Sequence, residues 1–325
     1  MVNDHYDAII VGAGAAGAAT ALQLAGAGRH VLLVDGTDHH PSVSVRGLDG
    51  RGIDRLDRWG VLHAVRSTGA PLLDGPGVRL APRARVLDQV LRDAAIDAGA
   101  TVRLGVTVDH VVHDSMGRVV GIAGRDHEGR HLSHRADVTI GADGPDSRLA
   151  QAVAAATTCT EMAPVGVAFG YWAGLDVVPS DDYRTPGGRL GVLPTNHDLT
   201  AVFVTAGPAR FRGEMRRRPA ESFGALVGEL DPDLAARIGR AERLGPVRSY
   251  LSTPLHARQS FGRGWALVGE AGRHTDPTGV YGINNVLADA ELLARTIVGA
   301  PSLVPAMALA DYQHQRDQRA DYAAA

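Results

Sequence analysis

Apolar residues follow two rhythms along this chain. Ala8 to Val11 and the run HVLLVD, His30 to Asp35, are short uninterrupted apolar stretches, the pattern of strands covered on both faces. Small residues between them predict a helix with Gly28 at its C-cap. The stretch 37–80 is irregular apart from a short helix in GIDRLDRWGVL. In RVLDQVLRDAAIDAG, Leu87, Val90, Leu91, Ala94 and Ala98 share one helical face, and Gly99 ends the helix. Val102, Leu104, Val106 and Val108 alternate, which predicts one half-buried strand through TVRLGVTVDHVV. GRVVGIAG and HLSHRADVTIGADG continue as strands, with a turn at Ser115 to Gly117.

After about residue 160 the rhythm changes. VGVAFGYWAGL, RLGVLPT and LTAVFVTAG predict antiparallel strands, and AESFGALVGEL and DPDLAARI predict helices. GWALVGEAG then returns to the buried strand and glycine loop of the opening. VLADAELLARTI and a polar stretch from Ala310 predict closing helices. No repeat interrupts this order. The fold class is α/β: a Rossmann-like nucleotide-binding domain carrying an inserted antiparallel β-sheet domain. The expected parts are 1–75 and 76–158 of the nucleotide domain, a β-rich substrate domain over 159–261, and a return to the nucleotide domain over 262–325.

Composition narrows the function classes. At 325 residues, with 45% hydrophobic and 21% charged positions, the chain has the balance of a globular enzyme. A net charge of −3 gives no electrostatic footprint for nucleic acid, and no apolar run is long enough for a membrane span. The acidic start MVNDHYD gives no signal peptide. A single cysteine, Cys159, rules out an internal disulfide, so the expected compartment is the cytoplasm. All 33 basic residues are arginine; with no lysine, Schiff-base chemistry on this chain is excluded.

Gly12, Gly14 and Gly17 form G-x-G-x-x-G between strand and helix, with Asp35 closing the second strand. The first glycine permits the turn, the second lets backbone meet a pyrophosphate, and the third seats the helix on the sheet. The amides of Ala15 and Ala16 start that helix, and the acid at Asp35, beside Gly36, suits a ribose diol. Two further stretches recur at strand ends: GADGPDSRLA with Asp143 and Gly144, and GEAGRHTDPTGVYGINN, Gly269 to Asn285.

With those three motifs the chain resembles FAD-dependent monooxygenases of the p-hydroxybenzoate hydroxylase type, the class A flavoprotein monooxygenases, and more closely an actinobacterial-type branch of FAD-dependent oxidoreductases. RGIDRLDRWGVL, PRARVLDQVL, YWAGL, PTN, GWALVGEAG, Asp276-Pro277, Gly282-Ile283 and DAELLA extend the resemblance over nearly the whole chain. It implies a GR2-type FAD-binding domain. It also implies that NAD(P)H reduces the flavin and that O2 reacts through a C4a-hydroperoxyflavin to oxygenate a small molecule. Glu270, Gly282, Ile283 and Asn284 then surround the ribityl chain and flavin ring, Pro277 lines the flavin face, and Val108 and Arg83 contact FAD. Three positions depart from the family pattern. Glu270 stands in place of Asp, Ala84 in place of an Arg that contacts FAD, and Arg46 where close relatives often carry His. Arg83 or Arg85 is then expected to reach the cofactor in place of the missing Arg.

Several side chains admit two readings. His274 is a proton donor to flavin or substrate, or a loop histidine bonded to backbone. Arg46 binds an anion or reduced flavin, or makes a structural ion pair. Tyr171, Trp172 and Tyr281 line a substrate cavity, with core aromatics as the alternative for the first two. No metal site is expected: Asp38 to His40 are consecutive loop residues. Arg216 to Arg218 read as a solvated run and Cys159 as inert. Flavin-dependent halogenases share the fold but need an active lysine and a W-x-W-x-I-P signature, both absent. A flavin-dependent C=C reductase in the manner of geranylgeranyl reductases is a second redox reading. A non-oxygenating family member that rearranges or binds its ligand, motivated by Glu270 and Ala84, is the third. Substrate identity, nicotinamide preference and oligomeric state are not legible.

Overall fold

The computed structural model describes residues 5–37, 44–74, 77–161, 164–176, 180–185, 188–275, 278, 280–300 and 305–319, with backbone only for 159–161 and 180–185. The chain opens with β1 (His5–Val11), α1 (Ala15–Gly26) and β2 (Val31–Asp35), followed by α2 (Gly50–Arg58), α3 (Leu62–Ser67) and α4 (Ala84–Asp97). Next come β3 (Thr101–Leu104), β4 (Thr107–His113), β5 (Val119–Arg125), β6 (His131–Gly141), α5 (Arg148–Ala152) and β7 (Thr157–Glu161). The insert holds β8 (Gly166–Ala173), β9 (Ser180–Thr185), β10 (Gly188–Thr195) and β11 (Leu199–Ala206). Its helices are α6 (Pro208–Arg210), α7 (Pro219–Leu230) and α8 (Pro232–Ile238), and β12 (Glu242–Leu251) closes it. The chain returns through β13 (Leu255–Arg258), β14 (Phe261–Gly262), β15 (Trp265–Leu267) and β16 (Arg273–His274), then α9 (Ile283–Gly299) and α10 (Ala306–Asp317).

The main sheet has the order β14-β15-β6-β1-β2-β3, and β1 pairs in parallel with both β2 and β6. The strands feed their side chains alternately to two cores. Ala8, Ile10, Val31 and Leu33 pack under α1, α4 and α9, while Ile9, Leu32 and Val34 pack against the β4–β5 side with Val106 and Ile122. Burial on both faces is why these strands read as unbroken apolar runs. The alternating stretch from Thr101 is not one strand. Gly105 at φ +73° breaks it, so β3 joins β2 in parallel while β4 turns into an antiparallel meander with β5 and β6.

The insert is a five-stranded antiparallel sheet, β12-β8-β11-β10-β9. One face packs Trp172, Leu190, Val192, Val202 and Val204 under Phe223, Leu226 and Leu234 of α7 and α8. The opposite face presents Phe169, Leu193, Ala201 and Phe203 to Val45, Leu73, Val78, Ala81 and Val280 of the nucleotide domain. A smaller sheet, β16-β13-β7, links the two parts.

Helix α10 clamps the return segment. Tyr312 donates to the Leu267 carbonyl at 3.0 Å, and the fully buried Arg316 donates to Ser260 Oγ at 2.6 Å and to Asp317 at 2.9 and 3.0 Å. Arg273 reaches the same Asp317 at 3.2 Å, and Arg319 pairs with the buried Asp289 of α9 at 3.0 Å. No helix among the described residues is long and apolar enough to cross a membrane.

Candidate active site

The carboxyl ends of β1 and β2 open into a cleft of about 660 Å³ lined by Gly12, Asp35, Gly36, Thr37, Val108 and Asp143, among others. It lies where the strand order turns outward from β1, the place at which open α/β sheets hold ligands. Gly12 sits at φ +108°, and a Cβ there would stand 2.5 Å from the Ala142 carbonyl carbon and 2.7 Å from Asp143 N. A Cβ on Gly17 would overlap the Gly12 carbonyl oxygen. Both are therefore fixed as glycine by contact with neighbouring backbone. Gly14 is the extended N-cap of α1, whose first turn holds no acid, so the amides of Ala15, Ala16 and Gly17 present an unopposed positive helix end.

Asp35 organises this loop. Its Oδ2 accepts from Ala13 N at 2.6 Å, and its Oδ1 accepts from Thr37 N at 2.9 Å and Thr37 Oγ1 at 3.1 Å. Each carboxylate oxygen has two lone pairs, so ribose hydroxyls can share the acid. Asp143 turns its side chain to the start of α5, accepting from Ser147 Oγ and from the amides of Arg148 and Leu149. Asp143 lines the cleft, and Gly144 beside it sits at φ +80°.

Sequence reading missed Arg92. From the middle of α4, Arg92 donates to the Ala13 carbonyl at 3.1 Å and so lies against the glycine loop. The signal was its place two turns beyond Ala84 on the same helix. Ala84 is fully buried and its amide donates to Ser44 O. Arg85 is exposed. The Arg83 guanidinium lies over the Tyr171 ring, 4.8 Å from its centroid, towards the insert.

The second half of the site is the segment from Val268 to α9. Gly269, at φ +60°, is so close to α1 that an added Cβ would stand 3.0 Å from Ala16 Cβ. This brings the glycine loop and the C-terminal loop together. Between that loop and α9 lies a narrow recess bordered by Glu270, Arg273, Gly282, Asn285 and Asp289. Gly282 is the N-cap of α9, and Ile283 is buried. Asn284 spends its amide on the opposite loop: Nδ2 donates to Gly47 O at 2.9 Å, and Oδ1 accepts from Asp49 N at 3.1 Å. That pins the segment carrying Arg46 to the start of α9.

His274 Nδ1 bonds the carboxylate of Glu270 at 2.9 Å. Burial raises the Glu270 pKa, but the His274 hydrogen bond and the charges of His274, Arg46 and His256 outweigh it and hold the carboxyl below its usual range. The His256 ring stands 5.9 Å from that of His274, and burial pushes its pKa down.

Tyr171 and Trp172 are not brought together. Tyr171 faces the nucleotide domain, with burial pushing its phenol up to about 12, whereas Trp172 stacks on Phe223 at 5.2 Å under the helical layer. Tyr281 lies on the Tyr171 side, under the guanidinium of Arg189 at 5.1 Å. Arg216 to Arg218 are exposed. Asp276, Pro277 and the residues Asp38 to His40 lie outside the described residues, as does the side chain of Cys159. No metal-holding group of His, Cys, Asp or Glu occurs among the described residues.

A close-approach glycine turn, an open helix start and a ribose-suited acid at one cleft mouth fit FAD. Comparison with known proteins agrees. A family described as FAD binding domain matches residues 5–75 and 72–324. A 1H-pyrrole-2-carbonyl-(peptidyl-carrier protein) brominase of Pseudoalteromonas luteoviolacea is 24% identical, over 96% of this chain and 83% of its own length. Digeranylgeranylglycerophospholipid reductase 1 of Methanopyrus kandleri is 28% identical, over 91% and 81%. Among solved structures, the flavin-dependent brominase Bmp2 superposes with a TM-score of 0.84 at 20% identity, covering 97% of this chain and 84% of that one. CabE, an aromatic hydroxylase from angucycline biosynthesis, superposes at 0.71 with 23% identity, over 97% and 66%. At these identities the structural likeness establishes the fold.

Proposed function

From a chain that belongs to the family of FAD binding domains and is an FAD-dependent enzyme, we propose a monooxygenase that uses NAD(P)H and O2 to hydroxylate or epoxidise a mainly apolar small molecule, in secondary metabolism. When bound, FAD supplies the redox chemistry, accepting reducing equivalents and passing them to oxygen. The chain supplies position and electrostatics. The first amides of α1 and the glycine turn would hold the pyrophosphate, Asp35 the ribose, and the Gly269–Glu270 loop with Gly282 and Ile283 the flavin end. The observation that carries the reading is the seam at the flavin end. There Phe169, Phe203, Tyr171 and Tyr250 of the insert meet Val45, Val78 and Val280 over the loop that holds His274 and Glu270. An apolar wall beside the redox group excludes water and accepts a hydrocarbon body. His274, oriented by Glu270, is placed to hold or deliver a proton, and Arg46 adds positive charge at the same end.

A reductase of C=C bonds is the second reading, favoured by the 28% identity to the Methanopyrus kandleri reductase over most of both chains. Halogenation through a lysine has no residue to use here, since the chain contains no lysine. A reducing cytoplasm is the compartment this reading takes, supported by a chain whose single cysteine cannot form an internal disulfide.

The test is the visible spectrum of the FAD-loaded protein, followed by NAD(P)H oxidation with and without O2. Oxygen uptake with an oxygenated product supports the monooxygenase. Oxidation of NAD(P)H that proceeds anaerobically, with saturation of an alkene, replaces it with the reductase. A protein that cannot be loaded with FAD overturns both.

A further inference from the structure

The outer layer of the insert holds a second recess, of about 420 Å³, bordered by Glu214, Arg217, Arg218, Glu221 and Ser222 among others. It lies at the start of α7, the helix whose Phe223 and Leu226 cover the sheet face turned away from the seam. The chain reaches it through a π-helical turn, Phe211–Met215, in which Arg216 N donates to Phe211 O at 3.0 Å. Helix α7 then begins at Pro219, and its N-cap, Arg218, makes no side-chain cap. The amides of Ala220 and Glu221 are therefore uncapped at the positive end of a 12-residue helix.

A helix start alone selects no ligand, but two side chains turn this one towards an anion. Ser222 is only 7% exposed and borders the recess, and its hydroxyl makes no hydrogen bond among the described residues. A serine inside a helix commonly bonds the carbonyl one turn back. Here Arg218 O accepts from the Ser222 amide at 3.0 Å, and the hydroxyl is left to the recess. Arg217 is exposed and makes no ion pair among the described residues. The two acids of the recess are already engaged: Glu221 pairs with Arg218 at 3.3 Å, and Glu214 lies in the field of Arg210. From Pro208 to Ser222 the chain carries Arg210, Arg212, Arg216, Arg217 and Arg218 against these two acids, although its net charge is −3. That local excess of positive charge draws anions to the recess.

We propose that this recess is a phosphate-binding site, and that its ligand is a small phosphate monoester held by the Ser222 hydroxyl, the uncapped amides of α7 and the Arg217 guanidinium. Hydroxyl and amides donate to phosphate oxygens at the helix start, and the arginine fork takes two oxygens in parallel. The recess is wider than one anion and leaves room for the organic part of the ester. It lies on the opposite face of the insert sheet from the seam, so the proposal goes beyond the monooxygenase reading and does not depend on it.

Isothermal titration of the FAD-loaded protein with glycerol 3-phosphate, phenyl phosphate and glycerol, in chloride buffer of constant ionic strength, tests it. FAD fills the other helix start suited to phosphate, at α1, so the heat reports on the insert. At least one ester is expected to bind saturably at one site per chain, with inorganic phosphate competing for that site and glycerol not binding. Ser222→Ala and Arg217→Met are each expected to weaken the ester about tenfold, the scale of a hydrogen bond to a charged group. Flavin loading and thermal unfolding stay those of the wild type in Arg217→Met, an exposed position, which keeps the test decisive should Ser222→Ala disturb the insert. Arg212→Met, outside the recess, is expected to leave the affinity within about twofold at that ionic strength. Failure of both esters to bind, an affinity that survives Arg217→Met, or an equal loss in Arg212→Met overturns the proposal.

Discussion

Tyr171 and Trp172 are neighbours in the chain and serve opposite sides of one sheet. Tyr171 lies under Arg83 at the seam, and Trp172 lies against Phe223 beneath α7. The two-residue period of a strand imposes this separation. It assigns adjacent positions to two different cores.

Trp172→Ala is therefore expected to cost roughly 3–5 kcal/mol, because it opens a cavity under a helical layer that cannot collapse freely. Tyr171→Phe is expected to stay within about 1 kcal/mol of wild type. Urea unfolding of the two variants checks both. A Trp172 variant as stable as wild type would remove Trp172 from the core of the insert.

Gly12→Ala and Gly17→Ala are expected to fail differently from surface glycine changes. The first forces a side chain into a positive φ against Ala142 and Asp143, and the second drives it onto the Gly12 carbonyl. Each should cost more than about 2 kcal/mol. Gly28→Ala also sits at positive φ, +77°, but meets nothing within 4 Å, so it carries the backbone strain alone. The ratio of bound flavin to protein, read from the visible spectrum, should be near zero for Gly12→Ala and Gly17→Ala and wild-type for Gly28→Ala.

His256 gives a pH dependence with a fixed sign. Burial lowers its folded pKa below the ordinary value of 6.5, with Arg258 and His274 adding to the shift and bonds to backbone opposing it. The unfolded chain then binds more protons than the folded one in the interval between the two values. Stability from this group is complete above about pH 6.5 and is lost as pH falls towards the depressed folded value. Glu270 is held below its ordinary 4.5 and does not titrate in that window. Melting temperatures of wild type and His256→Gln should converge between pH 7.5 and pH 5.5, a window that brackets the ordinary histidine value. Parallel curves would show that His256 does not report on folding.

Much of the architecture was legible because it is local. The buried strands β1 and β2, the helical face of α4 and the glycine turn are each written within a few residues. Gly105 escaped notice because the apolar alternation on either side runs through it unchanged, and only the positive φ divides β3 from β4. The edge strand β12, with Glu242, Arg243, Pro246 and Arg248, carries no apolar rhythm, since its outer side faces solvent. At the site, the glycine motif and Asp35 were readable as chemistry. The Arg83–Tyr171 stack and the Asn284–Gly47 bond were not, because partners so distant in sequence meet only through tertiary packing.

Arg316 tests the clamp on the loop. Replacing it with Met removes its bonds to Ser260 and Asp317 from a site with no exposure, at an expected cost of about 1–3 kcal/mol. Gly272 approaches the Arg316 guanidinium so closely that a Cβ would stand 2.6 Å from Nη1, so loss of the arginine also frees the loop beside Glu270. FAD affinity should fall together with melting temperature. A lower melting temperature with unchanged affinity would show that α10 supports the fold without setting the loop.

The hydrogen bond from Asn284 to Gly47 joins positions 237 residues apart. A nascent chain therefore carries the glycine turn long before the loop around Asn284 exists to meet it. Closing so wide a circuit is slow, and until then the apolar strands of the insert have nothing to cover their seam face. Free FAD in the medium during refolding should act as a template that captures the closed form. The yield of active protein would then depend on cofactor supply during production more than on cofactor added afterwards.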